Sequence, residues 1–397
     1  MSADTDIAIV GGGPIGAALA LALCDKGDSR LRVTVLEARA AREARIASAE
    51  WARDLRPIAL SHGSRLLLER LGAWQRLMPH SAPTPISNIH VSQRGNFGRV
   101  AMSARDADVP ALGYVIDYSV VFAALADAAR EAHCDYREGA RVTAIHRDGD
   151  YCRIEYALDG RPATLNARLA VVADGGDIDG LAPAKVIDYG QSALTARVRT
   201  MLPHRNTAYE RFACEGPLAL LPFGEEMALV WTLTPARAQI LKDADSIVFL
   251  AALRETFGGR LGDFIAVTPR ACYPLTLRCA TDDAKQGVVT IGNAAQTLHP
   301  VAGQGFNLGL RDAWELARVL RTLSVQTIAD SESLRRYCVN RRVDRYAVVG
   351  ATHGLVRLFS NDFFPLNAMR SAGMTLLGSV APVRDFLARR MIFGVRG

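Results

Sequence analysis

Residues 6–37 place the tightest constraint on what this chain can fold into. The apolar run Ile7-Ala8-Ile9-Val10 leads straight into Gly11-Gly12-Gly13-Pro14-Ile15-Gly16, a G-x-G-x-x-G spacing. A short apolar run, a glycine turn and Pro at a first helical turn predict a buried strand over Asp6–Gly11 and a helix over Pro14–Lys26, closed by Gly27. Arg32–Leu36 predicts a second strand, so the chain opens as a compact βαβ unit. Gly11 permits the tight turn, Gly13 lets the backbone approach a pyrophosphate, and Gly16 lets the helix pack on the strand. The helix N-terminus offers phosphate free N–H groups and the positive end of its dipole. Glu37 ends the second strand, 21 residues after Gly16. A carboxylate there would accept from ribose hydroxyls. It suits an adenosine ribose without a 2′-phosphate, hence FAD or NAD rather than NADP at this site. The alternative is a glycine turn without a ligand, with Glu37 a solvated acid.

A second glycine-rich stretch lies near residue 300. Val288–Gly292 predicts a strand, Asn293 follows, and Gly303-Gln304-Gly305-Phe306-Asn307 leads into a helix. In that helix Phe306, Leu310, Ala313, Ala317 and Leu320 recur at helical spacing. The fit is to a flavin. Gly292, at the strand end, is a candidate cofactor-binding residue, and Asn293 would hold the ribityl hydroxyls. The backbone from Ala302 to Asn307 would lie beside the ring. The helix N-terminus would stabilise the negative charge of reduced flavin. Such a loop alone could equally be structural.

Between these ends the texture changes. Ser64–Leu71 and Val120–Ala132 read as helices. Residues 75–110, with Pro79, Pro83, Pro85 and Pro110, read as loop-rich. Arg141–His146, Tyr151–Leu158 and Leu165–Ala173 read as strands, the last running into Asp174-Gly175-Gly176. From about 185 to 277 alternating segments dominate: Leu194–Arg199, Thr207–Ala213, Leu218–Phe223 and Met227–Leu233. A hairpin turn at Gly224 joins the last two, which is antiparallel behaviour. The expected organisation is 1–184 and 281–330 as two parts of one dinucleotide-binding domain, 185–280 as an inserted antiparallel substrate domain, and 331–397 as a C-terminal helical region.

Composition narrows the classes. With 397 residues, 49% of them hydrophobic, the chain can bury a large core. The net charge is +6, nearly all of the cations being arginine. That suits an anionic cofactor or an acidic membrane surface, while nothing in the motifs fits nucleic acid. The seven cysteines are scattered, without CxxC, and read as reduced thiols. No metal-ligand spacing occurs. The longest apolar run, Ala17–Leu23, is far short of the ~20 residues of a transmembrane helix. A cytoplasmic protein is expected, with peripheral contact at the inner face of the plasma membrane.

The three motifs together, Gly11–Gly16, Ala173-Asp174-Gly175 and Gly292-Asn293, resemble those of the class A flavoprotein aromatic hydroxylases, the group of p-hydroxybenzoate hydroxylase. Arg56, in Asp54-Leu55-Arg56-Pro57-Ile58-Ala59-Leu60, resembles that group's arginine near the cofactor phosphates. The resemblance spans essentially the whole chain. Within the group, residues 292–312 (GNAAQTLHPVAGQGFNLGLRD) resemble the ubiquinone-biosynthesis hydroxylase family, nearest its 2-polyprenyl-6-methoxyphenol hydroxylase branch, with Asn293, Gln296, Leu298 and His299 pointing there. Two positions depart from the wider pattern: Asn293 replaces an acid, and Ile178 stands where many members have Ser.

The resemblance implies an α/β, p-hydroxybenzoate-hydroxylase-like fold and a specific chemistry. NADPH or NADH would reduce FAD, reduced flavin would activate dioxygen, and one oxygen atom would pass to the ring of a polyprenylated phenol. Asp174 would serve the nicotinamide and the flavin phosphates. His299 stands as a catalytic base or a structural histidine, and Pro300 as a residue shaping the ring pocket. Tyr114 and Tyr118 line a pocket or belong to the core. The Arg- and Phe-rich stretch from His353 to Gly397 reads either as a membrane-facing basic surface or as packing on the flavin domain. The rival expectations are a hydroxylase or dehydrogenase for another aromatic substrate, and a flavin-binding scaffold in a biosynthetic complex.

Overall fold

The computed structural model describes residues 3–24, 31–39, 57–78, 81–95, 98–175, 184–280, 284–285, 287–298, 303–359, 375 and 379–394. Arg56, His299, Pro300 and Ile178 lie outside them. The chain opens with β1 (Thr5–Val10), α1 (Pro14–Leu23), β2 (Val33–Glu37), β3 (Pro57–Ser61), α2 (His62–Arg70) and α3 (Trp74–Leu77). Next come β4 (Thr84–Ile86), β5 (Asn88–Gln93), β6 (Arg99–Ser103), β7 (Gly113–Asp117), α4 (Tyr118–Glu131), β8 (Asp135–Glu138), β9 (Ala140–Asp148), β10 (Tyr151–Leu158) and β11 (Arg161–Val172). The middle holds β12 (Ala184–Thr200), β13 (Thr207–Ala213), β14 (Gly216–Phe223), β15 (Glu226–Leu233), α5 (Pro235–Asp243), α6 (Ser246–Phe257), β16 (Phe264–Val267) and β17 (Ala271–Ala280). It closes with β18 (Ala284–Lys285), β19 (Val288–Thr290), β20 (Gln296–Thr297), α7 (Gln304–Leu320), α8 (Ser331–Phe359) and α9 (Ala381–Phe393).

The first sheet runs β18-β19-β11-β1-β2-β8, and β19, β11, β1, β2 and β8 are mutually parallel. All six residues of β1 are buried, as a parallel strand covered on both faces requires. Ile7 and Ile9 join Leu19 of α1, Val35, Val171 and Leu310 in one core. This core is assembled from both ends of the chain.

The second sheet runs β20-β17-β12-β15-β14-β13-β5-β6, with β16 on β12. One of its faces is closed by α5 and α6, through Leu218, Leu220, Leu229, Trp231, Phe249 and Leu253. Its other face turns toward the first domain. A small third sheet, β3-β7-β4, lies between the two.

The loop reading of residues 75–110 is corrected here. β4, β5 and β6 are strands, and β5 pairs in parallel with β13, Glu210 facing Val91 and Ala208 facing Ile89. Pro85 is tolerated because β4 is an edge strand bonded to β7 alone, where a missing N–H interrupts no ladder. The antiparallel region is accordingly not confined to 185–280: β5 and β6 join it from one side in sequence and β20 from the other. It also holds two helices, α5 and α6, capped by Thr234 and Asp245.

At the C-terminus, Ala388 and Ile392 of α9 are buried with Val100, Met102, Leu112 and Phe212. The Phe393 ring meets His62 edge-on at 6.2 Å. Phe386 is 56% exposed, with the Arg390 guanidinium over its ring at 4.9 Å. This helix is therefore docked along one side and open along the other. The side chains of Leu355, Arg357, Leu358 and Phe359, and residues Phe363, Phe364 and Arg370, lie outside the described residues. Among the described residues no helix is long and apolar enough to cross a membrane.

Candidate functional site

Parallel strands end at one edge of the sheet, so whatever follows them gathers there. Gly11 follows β1, Ala173 follows β11, Ile291 follows β19, and Glu37 ends β2. Backbone bonds knit these ends together: Gly11 N donates to Leu36 O (2.9 Å), Ala173 N to Val10 O (2.8 Å) and Ile291 N to Val172 O (3.0 Å). The three motifs, far apart in sequence, thus form one rim.

The glycines divide the work. Gly11 has φ +100, and a Cβ on it would stand 2.7 Å from the Asp174 Cα. Asp174 therefore lies against the first glycine turn. A Cβ on Gly16 would collide with the Gly11 carbonyl oxygen, so Gly16 sets how closely α1 approaches the strand. Gly13, the N-cap of α1, differs: a Cβ there would meet nothing within 4 Å. Gly13 keeps a path clear rather than a contact tight. The Glu37 carboxylate accepts from Gly12 N at 2.7 Å through one oxygen and from Arg39 N at 3.1 Å through the other. Tyr136 donates its hydroxyl to Gly12 O at 3.1 Å. Burial, reinforced by the Glu37 charge, pushes the Tyr136 phenol well up, so it stays protonated and keeps donating. Sequence reasoning does not single out Tyr136, which sits on β8 far along the chain.

The second glycine helix repeats the design. α7 begins on Gly303, in the left-handed region at φ 58. A Cβ on Gly305 would meet nothing within 4 Å. Gly292 and Gly309 both leave room for Ile15 of α1, which a Cβ on either would reach at 3.1 Å. The two helix N-termini therefore converge through a shared contact. Asn293 is exposed on this rim, and Phe306 meets the Tyr118 ring edge-on at 6.4 Å. Gln304 is half-buried beside a cavity of about 60 Å³ that Ser61, Ile89 and Met102 also line. Tyr114 packs edge-on against Trp74 at 5.2 Å, as a core residue does.

Two side chains hold this second motif in place. The Asn307 amide oxygen accepts from Ser61 N (2.8 Å) and Ser64 Oγ (2.6 Å), and its amide nitrogen donates to Ala59 O (2.9 Å) and Gly303 O (2.8 Å). Its side chain is thus wholly engaged with protein. Asp312 is 1% exposed and accepts from Gln296 Nε2 (2.6 Å) and Gly292 N (3.2 Å), while its other oxygen pairs with Arg341 Nε at 2.6 Å. Burial works against the Arg341 charge, yet Asp312, Tyr337 and Asp344 outweigh it and hold its pKa above the usual value. A buried carboxylate is tolerated because it is paired and bonded on both oxygens. Asp312 falls within the stretch read from sequence, but its role is visible only once Arg341 folds back onto it.

Helix starts show where anions can bind. α2, α5 and α6 are capped by the side chains of Ser61, Thr234 and Asp245. α1 and α7 start on glycine, without a side-chain cap and without an acid in the first turn. A Cβ on Gly13 or on Gly305 would meet open space at these helix starts, and each presents the positive end of a helix dipole. Open glycine positions, uncapped helix ends and Glu37 at the end of β2, bonded to the first glycine turn, fit a dinucleotide whose pyrophosphate meets α1 and whose ring system meets α7.

Comparison with known proteins agrees with this geometry. Residues 4–351 match the FAD binding domain family. The ubiquinone hydroxylase UbiL of Rhodospirillum rubrum is 34% identical over 98% of this chain and 90% of its own length. The 3-demethoxyubiquinol 3-hydroxylase of Escherichia coli is 32% identical over 93% of this chain and 94% of its own. Among solved structures, Klebsiella pneumoniae HpxO complexed with FAD superposes with a TM-score of 0.74 at 16% identity, covering 99% of this chain and 100% of that one.

Proposed function

The chain belongs to the FAD-binding family as an FAD-dependent aromatic monooxygenase, and from that premise we propose that it hydroxylates the ring of a polyprenylated phenol, 2-polyprenyl-6-methoxyphenol, on the route to ubiquinone. The observation that carries the proposal is the mostly apolar recess beside the first turn of α7, lined by Ile86, Ile89, Met102 and Leu112 with Gln304 and Asn307, a lining of the kind a hydrocarbon-bearing ring would meet. The names of the two relatives support the same pathway.

Bound FAD supplies acceptance of two electrons from NADPH or NADH and the activation of dioxygen. The residues supply the rest. Gly13 and the first turn of α1 would hold the pyrophosphate, with Arg56 and Asp174 beside the phosphates. Glu37 would bind the ribose, and Gly292 with Asn293 the ribityl chain. The first turn of α7, from Gly303 to Asn307, would lie along the ring and favour the negative charge of its reduced form. His299 and Pro300 would border the ring pocket. Apolar closure over this pocket would exclude water, which otherwise discharges activated oxygen unproductively.

The prenyl tail would contribute most of the affinity, at about 0.8 kcal/mol per buried CH₂. Such a substrate resides in a bilayer. The enzyme would meet it at a membrane surface or receive it from partner proteins of the pathway, and the open side of α9, with Phe386 and Arg390, is the described part of the candidate contact region. The test is a deletion strain grown aerobically and analysed by lipid mass spectrometry. Accumulation of 2-polyprenyl-6-methoxyphenol, reversed by the intact gene, is the expected result. An intermediate lacking a hydroxyl at another ring position, as the name of the Escherichia coli relative would suggest, or unchanged ubiquinone, would overturn the assignment.

A further inference from the structure

The face of the second sheet opposite α5 and α6 carries one ionisable side chain where the strands are most apolar. Strand register places Val91 (β5), Glu210 (β13), Ala219 (β14), Val230 (β15), Thr195 (β12) and Ala271 (β17) in a single row across six strands. Residues directly across a ladder share a face, so the flanks of Glu210 are Val91 and Ala219. Along β13, side chains two apart share a face too. Ala208 packs with Ile86 and Val115, and Phe212 with Met102, Leu112 and Ile392. Four of these residues, Ile86, Met102, Leu112 and Ile392, line the cavity that Ser61, Gln304 and Asn307 close from the α7 side. Glu210 lies between Ala208 and Phe212, half-buried, opposite the small side chain of Ala219.

No hydrogen bond or ion pair engages the Glu210 carboxyl among the described residues. The charged groups nearby are turned elsewhere. Arg211 donates to Thr256 O at 3.0 Å on the far face, and His90 stacks with Tyr209 there. Arg197 pairs with Asp117 at 2.6 Å, and Arg384 of α9 with Asp106 at 3.7 Å. A carboxyl left alone among apolar neighbours is held toward its neutral form, and burial pushes Glu210 up to about 7. An acid kept unpaired in an apolar recess costs stability, and a functional group is where such a cost is met.

We propose that Glu210 is a catalytic residue of this enzyme, the group that takes the hydroxyl hydrogen bond of the phenol and receives its proton as the ring is oxygenated. The proposal rests on the phenol reading above. As a ring carbon bonds to one atom of dioxygen, the O–O bond breaks, the other atom leaves as water with the two electrons of NAD(P)H, the ring C–H proton passes to solvent, and electron density moves from the phenol oxygen into the ring. That makes the O–H acidic. The O–H bond breaks toward the carboxylate, whose oxygen gains the proton, and the electron pair stays on the ring oxygen. A carboxylate with a raised pKa is the stronger base for this transfer, and the surrounding apolar row admits the tail while leaving a single place for the hydroxyl.

The test uses the full-length, FAD-loaded enzyme and a 2-methoxyphenol alkylated at the position of the tail. Glu210→Gln should keep full FAD content and the wild-type melting temperature. Its kcat should fall on the order of 100-fold with KM within a few fold, while NAD(P)H oxidation continues without matching product. Wild-type kcat/KM should rise through an acid limb near 7, and that limb should vanish in Glu210→Gln. Formate should restore part of the turnover of Glu210→Ala, a rescue that a merely structural role would not give. If Glu210→Gln matches wild type in kcat, coupling and pH limb, the assignment of Glu210 is wrong although the phenol reading stands. If the wild-type enzyme, loaded and reducible, hydroxylates no alkylated phenol, the phenol reading falls and takes this role with it.

Discussion

In the parallel sheet, β1 buries every residue from Thr5 to Val10, while in the antiparallel sheet β13 buries Ala208 and Phe212 and leaves Glu210 between them half-buried. On the proposed function, the two sheets carry chemistry in different places. The parallel sheet carries it at strand ends, where Gly11, Glu37, Asp174 and Gly292 are brought to one rim. The antiparallel sheet carries it on a face, where each strand contributes an alternate residue. Rim chemistry depends on backbone conformation and so on glycine. Face chemistry depends on which side chain stands in which register position. Substitutions in the first region should therefore act on cofactor retention, and those in the second on the substrate, with the junction between them acting on stability.

The largest expected effect is at Gly13. Space around it is open in the protein itself, so Gly13→Val should fold, yet its branched side chain would stand in the pyrophosphate path. The purified variant should be colourless and fail to take up FAD, with circular dichroism unchanged. Normal flavin content would remove the rim from the account. Next comes the junction. Asn307→Ala strands Ser61 N and Ala59 O of β3, Ser64 Oγ of α2 and Gly303 O at the start of α7, and should cost about 3 kcal/mol or more in chemical denaturation. A cost near zero would mean that α7 is positioned by other contacts. Third is Glu37→Ala, which removes the ribose acceptor and frees Gly12 N. FAD affinity should fall by about 1.5–3 kcal/mol in a fluorescence titration, with unchanged rates for the flavin that remains bound. Unaltered affinity would make Glu37 a loop support alone. The smallest effect is at Arg197, which pairs with Asp117 at the start of α4 and lies 4.1 Å over the Phe223 ring. The pair is partly exposed, so Arg197→Ala should cost about 1–2 kcal/mol of stability and leave FAD content unchanged. Loss of FAD in that variant would blur the division between the two sheets.

The same contrast explains what was legible beforehand. Gly11, Gly13, Gly16 and Glu37 stand within one βαβ unit, and their meaning depends on neighbours a few residues away. The apolar strand ahead of Gly292 was legible too, because it repeats the texture of β1, whose sheet it joins through β11. The strands β5 and β6 were not, because Pro83 and Pro85 read as breaks and the partner of β5 is β13, far along the chain. Asp312 closes the stretch read from sequence, but its pairing is visible only once Arg341 meets it. Glu210, in Thr207-Ala208-Tyr209-Glu210-Arg211-Phe212-Ala213, stands among polar neighbours in sequence, and only the register of six strands shows the uncharged row in which it lies. Tyr136 was hidden for the same reason: its bond to Gly12 O links residues that no local pattern connects.

The central claim is that this chain places one atom of dioxygen on the ring of a tailed phenol. The most direct measurement is a single-turnover reaction of the FAD-loaded, NAD(P)H-reduced enzyme with an alkylated 2-methoxyphenol under isotopically labelled dioxygen, followed by mass spectrometry of the ring product. The account predicts one labelled oxygen per product molecule, tight dependence on the alkyl tail, and poor turnover of the tail-free phenol. Product carrying unlabelled oxygen, or a reduced enzyme that consumes dioxygen and leaves the tailed phenol unchanged, would contradict it.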